Sequence, residues 1–397
     1  AVLIKGPKAC GKSETAKQQA KSILQVDSDP QVAPLMGIDP TALLDGATPR
    51  LIDEWQAQPR LWNYIRHAVD DRNGKGQFIL TGSANPVEEV SMHSGAGRFI
   101  ELHMRTMSWQ ELGYSDGYVS LAGLFDGKPI KAKEYKTDIH TIIQRLVIGG
   151  WPGLVGLDEA DARQINTSYV RLLTEVDLSR VSDVKRDPVR VRHLLQSLAR
   201  NLSTITEVST FIRDIQNVAG DDISRPTVVD YLDALDRLMI IEDQPAWNTH
   251  IRSSAKLRKS PKRHFADVSL AIACLGLDSS ALFGDLNYTS FVFESQVVHD
   301  LRVYASRLGA DVYYYRDSSG LEVDAVVEKP NGDCAIFEVK LGDGFVDEGA
   351  GALTALTKNV VEGKGRRILS RSVIVGSGYA YTRPDGINVI PLSALGV

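Results

Sequence analysis

The stretch AVLIKGPKACGKS, residues 1–13, decides how the front of this chain folds. Residues 1–5 form a short apolar run of the kind that makes a buried parallel strand. Residues 6–13 then fit G-x-x-x-x-G-K-[ST] at every fixed position. Gly6 and Gly11 permit a tight turn whose backbone N–H groups can wrap phosphate oxygens. The expected phosphate cradle is Gly6, Pro7, Lys8, Ala9, Cys10 and Gly11, continued by Lys12, Ser13 and Glu14. A helix predicted over about 12–23 would turn its positive end toward the same phosphates. Lys12 is placed to reach the β- and γ-phosphates and Ser13 to ligate Mg²⁺. ATP and Mg²⁺ are therefore the expected cofactors.

Working outward, RLIDE at 50–54 is an apolar strand ending in two acids. After such a loop, Asp53 is expected to hold Mg²⁺ through water and Glu54 to polarise the attacking water. A third strand, 77–83, ends in small polar residues where a γ-phosphate would be sensed. Thr81, Ser83 and Asn85 are the candidates, and Ser83 is preferred. HSGAGR at 93–98 presents Arg98 from a Gly-rich loop with no obvious local partner. Arg98, and more weakly Arg105, can act as an arginine finger inserted from a neighbouring subunit. The alternative for both is a structural salt bridge. A finger would require a homo-oligomer.

These residues resemble the AAA+ ATPases. More narrowly, PRLIDEWQ at 49–56, LTGS at 80–83, HSGAGR at 93–98 and MSWQE at 107–111 look like one prokaryotic family. Its members join an AAA+ module to a C-terminal domain of unknown function with a nuclease-like fold. The resemblance runs along nearly the whole chain. It implies ATP binding, with nucleic-acid processing suspected in the family.

The length, 397 residues, accommodates two to four domains, and 43% hydrophobic with 24% charged residues is ordinary for a globular chain. A net charge of −5 excludes a whole-protein basic field, so any nucleic-acid contact must be a local patch. Cys10, Cys274 and Cys334 are odd in number and scattered, which argues against a disulfide framework. With no apolar run near the ~18 residues of a membrane span and no signal-peptide pattern, a cytoplasmic protein without membrane contact is expected. The sequence opens at Ala1 already inside a strand-like run, so a natural N-terminal segment is expected to precede it.

Between about 112 and 131 periodicity is weak, and this reads as a boundary. Residues 139–150 make a helix stopped by GGWP at 149–152, and 160–198 looks helical, as a lid or linker. Then 206–215 reads as a short helix, and Ser224 as the N-cap of a second one. A strand follows at Ile240 and Ile241. Two helices, a turn and a strand suggest a winged helix. The second helix carries Asp230, Asp233 and Asp236, which would repel phosphate, so major-groove reading by it is not expected. The clearest basic run is 252–264, where Arg252, Lys256, Arg258, Lys259, Lys262 and Arg263 stand with no acid. It can track a phosphate backbone, or be a solvated loop or a partner for acids of the same chain.

Further on, 291–301 reads as an amphipathic helix carrying Glu294. LEVDAVVEKPNGDCAIFEVKLG at 321–342 reads as two strands joined by a turn. A three- or five-residue loop centred on Asn331 sets Asp324 opposite Glu338, with Gly332 left-handed, whereas a two-residue Asn-Gly turn would part them. Glu338 and Lys340 share one face. Asp324 and Glu338 could then share Mg²⁺ or Mn²⁺, with Lys340 and Glu294 assisting. This pattern resembles the PD-(D/E)xK nuclease fold, although no Pro precedes Asp324. Either metal-dependent cleavage or a docking platform would fit the pattern.

The expected fold is α/β. A P-loop AAA+ module spans 1–112, a helical lid or linker 113–200, a winged-helix-like domain with the basic loop 201–265, and an α/β nuclease-like domain 266–397. The expected activity is Mg²⁺-dependent ATP hydrolysis acting on nucleic acid, with branched or single-stranded DNA as targets. The alternatives are an ATP-regulated DNA nuclease and a nucleotide-controlled protein-binding switch.

Overall fold

The computed structural model describes residues 1–82, 95–178, 186–220, 223–248, 260–359 and 366–397. They divide into two compact units. The first comprises 1–106, 175–186 and 230–240, and the second comprises 107–174, 187–229 and 241–397.

The first unit is built on five parallel strands: β1 (Val2–Lys5), β2 (Ser22–Gln25), β3 (Arg50–Asp53), β4 (Phe78–Gly82) and β5 (Ile100–His103). Their order is β2-β3-β4-β1-β5. The registers set Asp53 beside Thr81 and Lys5 beside Gly82, so the polar ends of β1, β3 and β4 lie together. Leu51, Ile52, Phe78 and Leu80 are fully buried, as the continuous apolar runs of inner parallel strands require. Helix α1 (Lys12–Lys17) is shorter than the predicted 12–23, because residues 22–25 pair with β3 instead. Here sheet pairing overrides local helical preference.

The second unit centres on a mixed sheet of seven strands. In chain order they are β6 (Lys133–Tyr135), β7 (Asp311–Arg316), β8 (Glu322–Glu328), β9 (Asp333–Lys340), β10 (Arg367–Val375), β11 (Gly378–Thr382) and β12 (Asn388–Pro391). Their spatial order is β7-β8-β9-β10-β12-β11-β6. Helix Val346–Asn359 packs on this sheet and buries Leu353 and Leu356 in one apolar cluster with Val326, Ile336 and Val373. The weakly periodic stretch read as a boundary contributes structure here. Tyr135 pairs with Gly378, and Val119 with Leu395, so parts of 113–200 share sheets with the last residues of the unit.

Helix Leu286–Ser306 is longer than the segment read from sequence, and it is not amphipathic. From Val292 to Leu301 every side chain is buried, because the helix has neighbours on all sides. Helices Val208–Ala219 and Arg225–Arg237 follow one another as expected. Ser224 Oγ accepts the Thr227 N–H at 3.3 Å. A two-stranded antiparallel ribbon, Ile241–Gln244 with Lys262–Phe265, comes next. Cys10, Cys274 and Cys334 are buried and free. No helix among the described residues is long and apolar enough to cross a membrane.

Candidate functional site

In the first unit the loop after β1 turns through two left-handed residues, Ala9 (φ 64°) and Gly11 (φ 100°). Gly6 has a different reason to be glycine. A Cβ there would lie 2.2 Å from the backbone oxygen of Met104, which cannot move aside. The Lys12 ammonium is buried inside the loop, where it donates to the carbonyls of Gly6 at 2.9 Å and Pro7 at 2.8 Å. Burial holds its pKa below the usual lysine value, against the pull of Cys10, Glu54 and Asp53. Lys8 pairs with Asp177 of the same unit.

Ser13 Oγ donates to Asp53 Oδ1 at 2.7 Å, and Thr81 Oγ1 donates to the same oxygen. Asp53 is buried, yet both groups that meet this oxygen are neutral hydroxyls. A buried carboxylate beside a serine hydroxyl at a phosphate loop is a donor set that suits Mg²⁺, and Ser13 and Asp53 would hold it. Glu54 follows with left-handed backbone (φ 52°), strained for a non-glycine residue, and its carboxylate accepts from Gln56 Nε2. Gln56 Oε1 is buried without a hydrogen-bond partner among the described residues. A Cβ at residue 82 would come 2.5 Å from that oxygen, so Gly82 leaves the space that Gln56 fills.

Thr81 is thus occupied with Asp53. Ser83, the preferred sensor, and Asn85 lie outside the described residues. Arg98 does have a local partner, contrary to the sequence reading: its Nε donates to Asp70 at 2.7 and 2.9 Å. The pair is more than a third exposed on both sides. Water screens such an exposed pair, so Arg98 is easily released.

In the second unit the β8–β9 hairpin has the odd-length loop. Lys329 N–H donates to Asp333 O at 2.9 Å, and Gly332 is left-handed (φ 84°). Ala325 pairs with Phe337, which sets Asp324 against Glu338 as the hairpin reading requires. Glu338 Oε2 lies 3.3 Å from Lys340 Nζ, which also reaches Glu348 Oε1 at 3.0 Å. Asp324 Oδ2 accepts the Val339 N–H at 2.9 Å. Burial and the Asp324 charge raise the Glu294 carboxyl to about 8 and that of Glu338 to about 9. Asp324, Lys340, Glu294 and Glu322 line a cleft of about 950 Å³ within this unit.

The basic run fares differently. Arg252, Lys256, Arg258 and Lys259 lie outside the described residues. Lys262 and Arg263 are not phosphate contacts in this fold. The Lys262 side chain is buried among Glu294, Glu322 and Asp324, and Arg263 donates to Thr206 O at 2.8 Å and pairs with Asp243. For Lys262 and Arg263 the alternative of a partner for acids of the same chain holds, whereas sequence reading missed Glu322 and the roles of Thr81 and Gln56. For Lys262 a signal existed: it alternates with His264 on the inward face of a strand that ends in Phe265.

Residues 1–113 match the family model of the AAA domain. Residues 139–281 and 289–395 match two models described as domains of unknown function, DUF8612 and DUF4143. With the loop and carboxylates above, the first unit is an ATPase module of the AAA type, followed by a C-terminal α/β unit. Two proteins described as uncharacterized, from Mycobacterium bovis and Mycobacterium tuberculosis, are each 24% identical over 347 residues. The match covers 85% of this chain and 70% of each relative. Among solved structures, a Walker-type ATPase of Pyrococcus abyssi is similar with a TM-score of 0.40 and 14% identity. It covers 69% of this chain and 90% of its own.

Proposed function

We propose that this protein is a Mg²⁺-dependent AAA-type ATPase that acts on nucleic acid as a homo-oligomer. The observation that carries the ATPase chemistry is the convergence of Ser13 and Thr81 on Asp53 beside the buried Lys12. Bound Mg²⁺ would supply charge neutralisation at the phosphates. Lys12 would exchange its two carbonyl partners for phosphate oxygens. Glu54, once released by Gln56, would orient the attacking water. Arg98 would leave its exposed pair with Asp70 to reach a neighbouring subunit's nucleotide.

For nucleic acid, support comes from the resemblance of the β8–β9 hairpin to the PD-(D/E)xK arrangement and from the four cations of 252–259. The winged-helix reading of the two helices and ribbon belongs to the same proposal, as a shape for contacts. A second reading, a nucleotide-controlled protein-binding switch in the cytoplasm, is favoured by one observation. Lys262 and Arg263 are withdrawn from the basic run, while Asp233 and Asp236 stay exposed. The deciding experiment measures steady-state ATP hydrolysis with Mg²⁺, alone and with single-stranded, duplex and four-way-branched DNA. Lys12→Ala serves as the blank. Stimulation by one DNA form supports the proposal and names the substrate. A rate indifferent to every DNA overturns it in favour of the switch.

A further inference from the structure

Lys262 stands near the end of the basic run, yet its side chain is only 2% exposed. Its Nζ lies 2.8 Å from Glu294 Oε1, 2.7 Å from Glu322 Oε1 and 3.4 Å from Asp324 Oδ1. The ammonium donates to Glu294 and Asp324, and Glu322 pairs with it by charge, so three acidic side chains surround its three N–H groups. The second Asp324 oxygen is held by the Val339 N–H, and Glu338 is held by Lys340. Among the described residues no group of three or more His, Cys, Asp or Glu side chains is arranged to hold a metal ion. The acids that the nuclease resemblance would assign to a divalent ion therefore do not fit one, because a cation of the chain already stands among them.

The geometry points to Lys262 as a built-in counter-ion that takes the place of the divalent cation, which makes the C-terminal acidic cluster a metal-independent, non-cleaving core. Three segments distant in sequence meet at one atom: strand Lys262–Phe265, helix Leu286–Ser306 and β8. A tethered ammonium meets a divalent competitor at a disadvantage for the competitor. The ion would have to shed its water and also expel a buried lysine from among three acids. His264, on the same strand face, extends the network. Its ring nitrogens lie 2.9 Å from Ser295 Oγ and 3.0 Å from Gln244 Oε1, and Gln244 Nε2 donates to the Asp324 carbonyl at 2.9 Å. The strand that carries Lys262 is thus tied, two residues beyond the ammonium, to helix Leu286–Ser306 and to Gln244. The inference rests on the proposed function only in taking the C-terminal unit as a contact surface, and it withdraws cleavage from that surface.

The test titrates the nucleotide-free full chain with Mn²⁺ by calorimetry, in an Asp53→Asn background that silences the P-loop. The chain with Lys262 intact is expected to take up no Mn²⁺. Lys262→Met is expected to gain a site at least about tenfold tighter than any residual binding. Adding Glu294→Gln and Asp324→Asn should abolish that gain. Mn²⁺ bound with Lys262 in place and lost in Asp324→Asn would overturn the inference, as would a folded Lys262→Met chain that binds none. If Lys262→Met fails to fold, the Lys262-containing chain with and without Asp324→Asn decides alone. Nicking of supercoiled plasmid in Mn²⁺ gives a second readout, and nicking abolished by Asp324→Asn would also overturn it. Neither readout depends on DNA stimulating ATP hydrolysis, so this inference and the nucleic-acid reading can fail separately.

Discussion

Replacing Glu338 by Gln should make the C-terminal unit less sensitive to rising pH. Burial, reinforced by the Asp324 charge, raises Glu338 from 4.5 to about 9 against the pull of Lys340. The same causes raise Glu294 to about 8. Both carboxyls keep their protons in the folded state at pH values where the unfolded chain has lost them. Between pH 4.5 and 8 the folded state thus binds more protons, and stability must fall as pH rises. Each group contributes a slope of about 1.4 kcal/mol per pH unit. From about pH 6 to 7.5 the pair costs about 4 kcal/mol, of which Glu338 supplies about 2 kcal/mol. Gln keeps the size and neutrality of the protonated acid, and Lys340 retains Glu348 at 3.0 Å. Glu338→Gln should therefore match the parent chain near pH 6 and lose only half as much stability by pH 7.5. Scanning calorimetry of the full chain reads this, with the C-terminal transition recognised as the one that ATP does not shift. A C-terminal transition that holds steady or rises between the two pH values would refute the reasoning. So would an undiminished fall in Glu338→Gln.

Glu54→Gln should keep ATP binding while hydrolysis drops at least about a hundredfold, read by nucleotide titration alongside phosphate release. Thr81→Val removes one of the two hydroxyls on Asp53 and should cost about 1 kcal/mol of stability. The same variant should raise the Mg²⁺ concentration needed for half-maximal hydrolysis, which an activity titration checks. Asp70→Ala should leave the turnover rate unchanged, whereas Arg98→Ala should lower it about tenfold or more without weakening ATP binding. Equal losses in the two variants would assign Arg98 to the salt bridge alone.

The phosphate loop was legible in sequence because its chemistry is local. Gly6, Gly11, Lys12 and Ser13 act through fixed spacing, and Asp53 reaches Ser13 because the parallel strands β1 and β3, which flank β4, end together. The hairpin was legible for a similar reason: one left-handed Gly332 in an odd loop fixes which residues oppose. Lys262 was not. Counting charges along 252–264 could not say which of the six cations turn inward, because that is decided by Glu294 and Glu322, residues far along the chain. Helix Leu286–Ser306 misled in another way, since a helix enclosed on every side shows no polar face. Strands as short as Lys133–Tyr135 carry too few residues for any alternation to register.

The pairings of Val119 with Leu395 and of Tyr135 with Gly378 set an order on biosynthesis. A ribosome delivers residues 119–135 long before the strands they require, so these segments wait with unpaired edges until residues 378–396 have emerged. The ATPase unit waits as well, since it draws on residues 230–240. A transcript truncated after residue 240 would release a complete nucleotide module attached to a half-built second unit with open strand edges. Such a fragment invites aggregation or proteolysis. Fusions or deletions at residues 395–396 should accordingly be judged as edits to a sheet.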